Sequence, residues 1–263
     1  MSSTAVPAAP AIDDLLADLA LQTRRLRVAA WAVGGAGLLA AAVVAELPGD
    51  LWIGRLASGA TVVATCLGYL LAVRPLWRLR RAPVLTPLAP SGFTTAASPR
   101  HHANVAYLLA VAGFAWGVDP YVAVPLVLLL AALVGLRPAR IVLTPGAVLV
   151  RRLRTRRVPW AQLTVVRVTS SGLADELSLT VDVPGRGLGT VRARLDRFDV
   201  DQEFLVHTLR HYAAVPEDRT AIGAPAELAR RRAAYLADAG RSAVETVGAA
   251  AADPGAEPAV VLP

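Results

Sequence analysis

The sequence predicts a multi-pass α-helical membrane region of two helical hairpins, followed by a β-rich unit with one C-terminal capping helix. Three observations carry that prediction. Apolar segments come in two pairs, 28–46 with 52–73 and 104–118 with 120–136. Arginine clusters flank only one side of each pair. After Arg140 the apolar pattern changes from a helical period to alternation.

The first pair meets the length a bilayer demands, since a hydrocarbon core of roughly 30 Å needs about 20 apolar residues per helix and about 17 at the least. Residues 28–45 contain no charge, and 120–136 reads PYVAVPLVLLLAALVGL, apolar all round instead of along one stripe. That argues against core helices of a soluble protein. The second pair must fit two crossings and a turn at Gly117–Pro120 between Asn104 and Leu136. Full crossing and a tilted or re-entrant hairpin both stay open there.

Charge sets the orientation. Arg24, Arg25 and Arg27 precede the first segment, Arg74, Arg78, Arg80 and Arg81 follow the second, Arg100 precedes the third, and Arg137 and Arg140 follow the fourth. The turns inside the pairs carry Glu46, Asp50 and Asp119. The positive-inside rule then places both termini and the 74–103 loop in the cytoplasm, with the chain in the plasma (inner) membrane. Asp13, Asp14 and Asp18 occupy the place of a basic n-region, so no cleavable signal peptide is expected and the first span serves as the insertion signal.

Composition agrees: 55% of residues are hydrophobic and mean hydropathy is +0.49. All 27 basic residues are arginine, a bias expected of a GC-rich bacterial genome and no sign of phosphate recognition by itself. The formal charge of +7 suits a cytoplasmic face against anionic lipid. The lone Cys66 excludes a disulfide within the chain.

Ahead of the first span, in residues 1–27, Ile12, Leu15, Leu16, Leu19, Thr23 and Leu26 fall at helical spacing. An interfacial or partner-binding helix and a cytoplasmic extension of the span are equally good readings. Between the pairs, the 74–103 loop holds Pro83, Pro87, Pro90 and Pro99 with no apolar period, which predicts a cytoplasmic linker. His101 and His102 are adjacent, so their side chains diverge, and no Cys, Asp or Glu lies near to complete a metal site.

From 137 to 213 short strands follow one another. Ile141–Leu143, Ala147–Leu153, Arg157–Trp160, Leu163–Val168, Asp175–Val183 and Gly189–Leu195 alternate, separated by Thr144-Pro145-Gly146, Arg154–Arg156 and Pro184–Gly189. Leu177, Leu179, Val181 and Val183 share one face; so do Val191, Ala193 and Leu195. About six strands at this spacing suit an antiparallel sandwich or a partly open barrel. Asp199 with Gln202 forms a capping box, and Phe204, Leu205, Thr208, Leu209 and Tyr212 make one apolar stripe on the helix that closes the unit. Beyond it, 214–263 reads as a helix over Ala224–Ala239, with Leu228, Tyr235 and Leu236 on one side and Arg230–Arg232 exposed, then disorder after Gly240.

At 139–168 the run ARIVLTPGAVLVRRLRTRRVPWAQLTVVRV resembles the membrane-anchored bacterial pleckstrin-homology-like domains. Leu143-Thr144 before a tight turn at Gly146, the basic hairpin Arg154–Arg157 and Val158-Pro159-Trp160 stand where that family has them. The resemblance implies a seven-stranded, partly open barrel capped by one helix and facing the cytoplasm; alternation and the capping box predict an antiparallel barrel over 137–213 with Trp160 partly buried near the domain's edge. Many relatives have two spans before the domain, where this chain has four apolar segments. The family supplies no catalytic residue.

The expected role is therefore non-enzymatic: protein interaction or scaffolding at the membrane, with a protein partner on the PH-like domain. A sensor of anionic lipid, or an accessory subunit of a small transporter or channel, is the alternative. No catalytic, cofactor or metal residue and no nucleic-acid partner is expected. The candidate lipid contact is Arg151, Arg152, Arg154, Arg156 and Arg157, each worth on the order of 1 kcal/mol near an anionic surface. A solvated hairpin that only signals topology is the plainer reading of the same run.

Overall fold

A computed structural model of the chain describes residues 12–47, 51–75, 81–151, 154–170, 175–185 and 187–252. Helix α1 (Ile12–Ala45) is one unbroken element of 34 residues, about 51 Å long at 1.5 Å per residue. The N-terminal amphipathic stretch is thus the extension of the first apolar segment. Leu15, Leu19, Gln22, Leu26, Ala30, Gly34, Gly37 and Ala41 form its buried seam, at steps of three and four. Large residues at the N-terminal end reach the core of the β unit, where Leu19 is 3% exposed. Small residues at the other end let helices approach.

Helix α2 (Leu51–Val73) runs antiparallel to α1. Ser58 Oγ donates to the Ala41 carbonyl at 3.1 Å and Tyr69 Oη to that of Leu26 at 3.4 Å. Helix α3 (Pro99–Trp116) lies parallel to α1, with Pro99 at its first position, where a missing N–H costs nothing. A Cβ on Gly113 would stand 2.3 Å from the Leu38 carbonyl oxygen, so only glycine permits this approach. Trp116 Nε1 donates to Glu46 Oε1 at 2.7 Å, which brings both inter-helix turns to the same end of the bundle. Helix α4 (Ala123–Leu136) returns beside α3.

Among the described residues only α1 and α2 are long and apolar enough to cross a membrane. The expected second hairpin falls short. Helix α4 has 14 residues, about 21 Å at 1.5 Å per residue, against a core of roughly 30 Å. Residues 117–122 are consumed by a turn in which Asp119 Oδ1 accepts from the N–H groups of Tyr121 and Val122. Helix α3 gains its length on the polar side instead, through Arg100, His101 and His102.

The Pro-rich 74–103 loop is no linker. It contains β1 (Thr86–Pro87), β2 (Phe93–Thr94) and β3 (Ala96–Ala97), and buries Val84, Leu85 and Phe93 in the main core. Strands of two residues have no period to read, which is why the sequence pattern hides them. The remaining strands are β4 (Arg140–Leu143), β5 (Ala147–Arg151), β6 (Thr155–Pro159), β7 (Leu163–Ser170), β8 (Asp175–Val183), β9 (Gly187–Arg194) and β10 (Phe198–Asp199). Phe93 pairs with Leu143 and Thr94 with Val142, so the α3–α4 hairpin is an insertion bracketed by two neighbouring strands of one sheet.

The β-rich unit does not close into a barrel. One sheet has the order β1-β2-β4-β5-β6, a second β7-β8-β9, and β3 pairs with β10. Among the described residues, β6 and β9 each end a sheet. Trp160, expected near the domain's edge, is instead buried at the corner between the sheets. Its indole N–H donates to the Thr144 carbonyl at 2.8 Å and its ring meets Tyr212 edge-on.

Helix α5 (Gln202–Ala214) covers β7 with the expected stripe of Phe204, Leu205, Thr208, Leu209 and Tyr212, all buried. Its cap is Asp201, not Asp199: Asp201 Oδ1 accepts from Phe204 N at 2.7 Å. Asp199 lies in β10 opposite Ala96 and accepts from the Arg81 N–H. A second capping helix joins it, α6 (Pro225–Ala252), which runs past Gly240 through a segment expected to be disordered. Its alanines favour the helix. Leu228 is buried and Tyr235 packs on the core, but Leu236 is exposed and Arg231 buried, opposite to expectation. Residues 253–263 lie outside the described residues.

Candidate anion site

Strand alternation divides the basic run that the sequence offered as one lipid contact. Arg154 and Arg156 turn toward one side of β6 and line a cleft, while the Arg157 guanidinium lies beside Gly146. Arg151 ends β5, paired across the sheet with Arg140 and Thr155. Arg152 falls outside the described residues.

The cleft has a volume of ≈ 780 Å³ and sits where the ends of the α3–α4 hairpin meet the two sheets. Arg154 enters it from the turn before β6 and Arg156 from β6, and Thr190 and Arg192 enter from β9, the two strands each ending a sheet. Arg137 comes from the end of α4 and Arg197 from the turn before β10. Leu130 and Val134 of α4 form an apolar wall, with His101 and Asn104 of α3 beside them. Among the described residues, no acidic side chain lines it. Asp196 nearby is taken by Arg100 and Arg194, each at 2.9 Å. Among the described residues, none of the five cleft arginines has a carboxylate at ion-pair distance.

The positive field extends to the histidines in the first turn of α3, ahead of the apolar run that starts at Asn104. Burial, then Arg140 and Arg27, lower the pKa of His101, whose Nε2 is buried without a partner. Burial, then His101, Arg27 and Arg140, push His102 down to about 4. Arg140 is itself shifted down by burial and by Arg27 and Arg151. Of the three, His101 lines the cleft, where a bound anion would favour its charged form.

A second charged cluster ties α5 to α6. His211 Nε2 and Asp218 Oδ2 are 2.7 Å apart. Glu227 takes Arg231 Nε at 3.0 Å, Arg230 Nε at 2.7 Å and Tyr212 Oη at 3.1 Å. The hydrogen bond from His211 is the main cause holding the Asp218 carboxyl below its ordinary range, while burial and Glu227 raise the Tyr212 phenol. The ligand atoms of His211, Asp218 and Glu227 lie close enough to hold a cation. Two guanidinium groups already occupy those oxygens, so the set is an ion-pair network.

Pattern reasoning found Arg154 and Arg156 but not Arg137, Arg192 and Arg197. Arg192 alternates with Val191 and Ala193 along its strand, yet nothing local shows that two strand edges converge. Compared with models of protein families, with curated proteins and with solved structures, the chain has no match.

Proposed function

We propose that this chain is a multi-pass protein of a bacterial plasma membrane that holds a PH-like domain on the cytoplasmic face as a non-enzymatic platform for protein interaction. One observation carries the reading: the β-rich unit and the helical bundle are built into each other. Leu19 of α1 lies in the core of the β unit, and the sheet brackets α3–α4 through the β2–β4 pairing. A domain tied in this way keeps a fixed height and orientation above the bilayer, which is what a platform needs and a flexible tether does not provide. Support for the topology comes from the two turns, which carry Glu46 and Asp119 and share one end, with the arginine-rich segments at the other. Support for the PH-like reading comes from two antiparallel sheets, a corner tryptophan and the helix α5 laid over β7. The basic cleft favours the second reading, a sensor of anionic lipid.

Cysteine accessibility and photo-crosslinking test the platform. In a Cys66→Ser background, Val118→Cys should react with a membrane-impermeant reagent in intact cells and Glu217→Cys only after permeabilisation. Both positions sit outside packed cores. A photo-crosslinker at Leu188, 73% exposed on β9, should give a discrete adduct with one protein in living cells. Labelling of Glu217→Cys in intact cells, or crosslinks to lipid alone, would count against it.

A further inference from the structure

We infer that the cleft between β6, β9 and the α3–α4 hairpin binds the phosphate-bearing headgroup of one anionic lipid, with the start of an acyl chain along Leu130 and Val134. The inference rests on the membrane reading above and names the ligand of its basic junction. Arg137, Arg154, Arg156, Arg192 and Arg197 converge on one space of ≈ 780 Å³, within the roughly 300–1,000 Å³ of small-molecule sites. Like charges gathered without a carboxylate leave a positive field that an anion between them would meet. The five come from four separate segments, so their convergence is a product of the fold and not of one basic run.

Guanidinium groups are planar forks that match phosphate oxygens two at a time, and their weak hydration lowers the cost of such contacts. The remaining wall selects among phosphate ligands. Leu130 and Val134 offer nothing to inorganic phosphate, but they continue the apolar surface of α4, whose Leu126, Leu129, Leu133 and Leu136 are exposed. A headgroup among the arginines with its chain on α4 satisfies both halves of the cleft.

The test uses the full chain purified in neutral detergent and titrated with phosphatidylglycerol or phosphatidylcholine under native mass spectrometry. One phosphatidylglycerol should bind in preference to phosphatidylcholine. Arg156→Gln with Arg192→Gln should weaken it about thirtyfold, taking about 1 kcal/mol for each charge. Arg157→Gln with Arg167→Gln, an equal charge change outside the cleft, should change it less than twofold. Leu130→Trp, which fills the apolar wall and keeps every charge, should reduce lipid binding but spare inorganic phosphate. Equal losses in the two double variants would reduce the effect to surface charge and overturn the site. So would an unchanged affinity in the cleft variant. Competition by millimolar inorganic phosphate, with Leu130→Trp without effect, would assign the site to a free anion and overturn the lipid. This readout needs neither a protein partner nor an orientation, so the platform can fail while the cleft stands, and the reverse.

Discussion

Two arginine-rich regions of this chain carry the same chemistry in opposite company. Around α5 and α6, Arg230 and Arg231 meet Glu227 and Asp218, and Arg219 caps α5 through the carbonyls of Tyr212 and Ala213 while lying over the Trp160 ring. In the cleft, five arginines line one space with no carboxylate among the described lining residues. The first set is neutralised by the chain and holds two helices together. The second has no carboxylate among its described lining residues, and the partner proposed for it is a lipid headgroup. Net charge alone cannot separate these cases; the company each guanidinium keeps does.

Removing an acid from the neutralised set should have the largest effect on stability. Glu227→Ala removes the nearer carboxylate of Arg231, 8% exposed, and leaves it Asp218 at 3.7 Å; it should cost on the order of 3 kcal/mol, the low end for broken buried pairs. Thermal unfolding of the purified chain would show it. A Tm within a degree or two of the parent would mean that the network does not hold α6.

Acid should act next, on the unneutralised side. The folded chain keeps His102 neutral down to about 4, whereas the unfolded imidazole titrates near 6.5. Between those values the unfolded state binds the extra proton, so this contribution is full above pH 6.5 and is lost as pH falls toward 4. It amounts to about 3 kcal/mol at most. His102→Asn should flatten that limb of the stability curve measured from pH 7 to 4. An unaltered acid limb in the variant would assign it to other groups.

Trp160→Phe keeps the ring packing against Tyr212 and removes the bond to the Thr144 carbonyl. A loss of about 1–2 kcal/mol is expected in denaturant titration, because that acceptor is left inside the corner. Lipid binding by the cleft should be untouched. The smallest effect on stability belongs to Arg156→Gln, within about 0.5 kcal/mol of the parent, as for exposed substitutions that break no partner. A large destabilisation there would place Arg156 among the structural arginines and erase the contrast between the two regions.

Regular periods carried most of what could be read beforehand. DELSLTVDV forms β8 over the expected residues with Leu177 and Leu179 fully buried, and the α5 stripe is buried residue for residue. The 74–103 loop stayed opaque because much of its order comes from partners far along the chain: Phe93 joins the main sheet through Leu143. The same limit explains the site. Arg154 and Arg156 belong to a visible cluster, while Arg137, Arg192 and Arg197 join them through the meeting of two sheets and a helix end. The cap was misplaced because a two-residue strand claims Asp199 and moves the helix start to Asp201.

The bracketing of α3–α4 by β2 and β4 makes the order of synthesis matter. On the ribosome, β1 and β2 emerge with no sheet to join and must wait until the whole helical hairpin has been made and β4 follows. β3 waits longer still, for β10. Phe93 can be covered only when the two ends of the hairpin come back together. Completion of the sheet is thus a quality check on placement of the hairpin: a chain whose α3 and α4 go astray keeps an open strand edge and an exposed aromatic side chain, the marks by which proteases and chaperones recognise unfinished proteins.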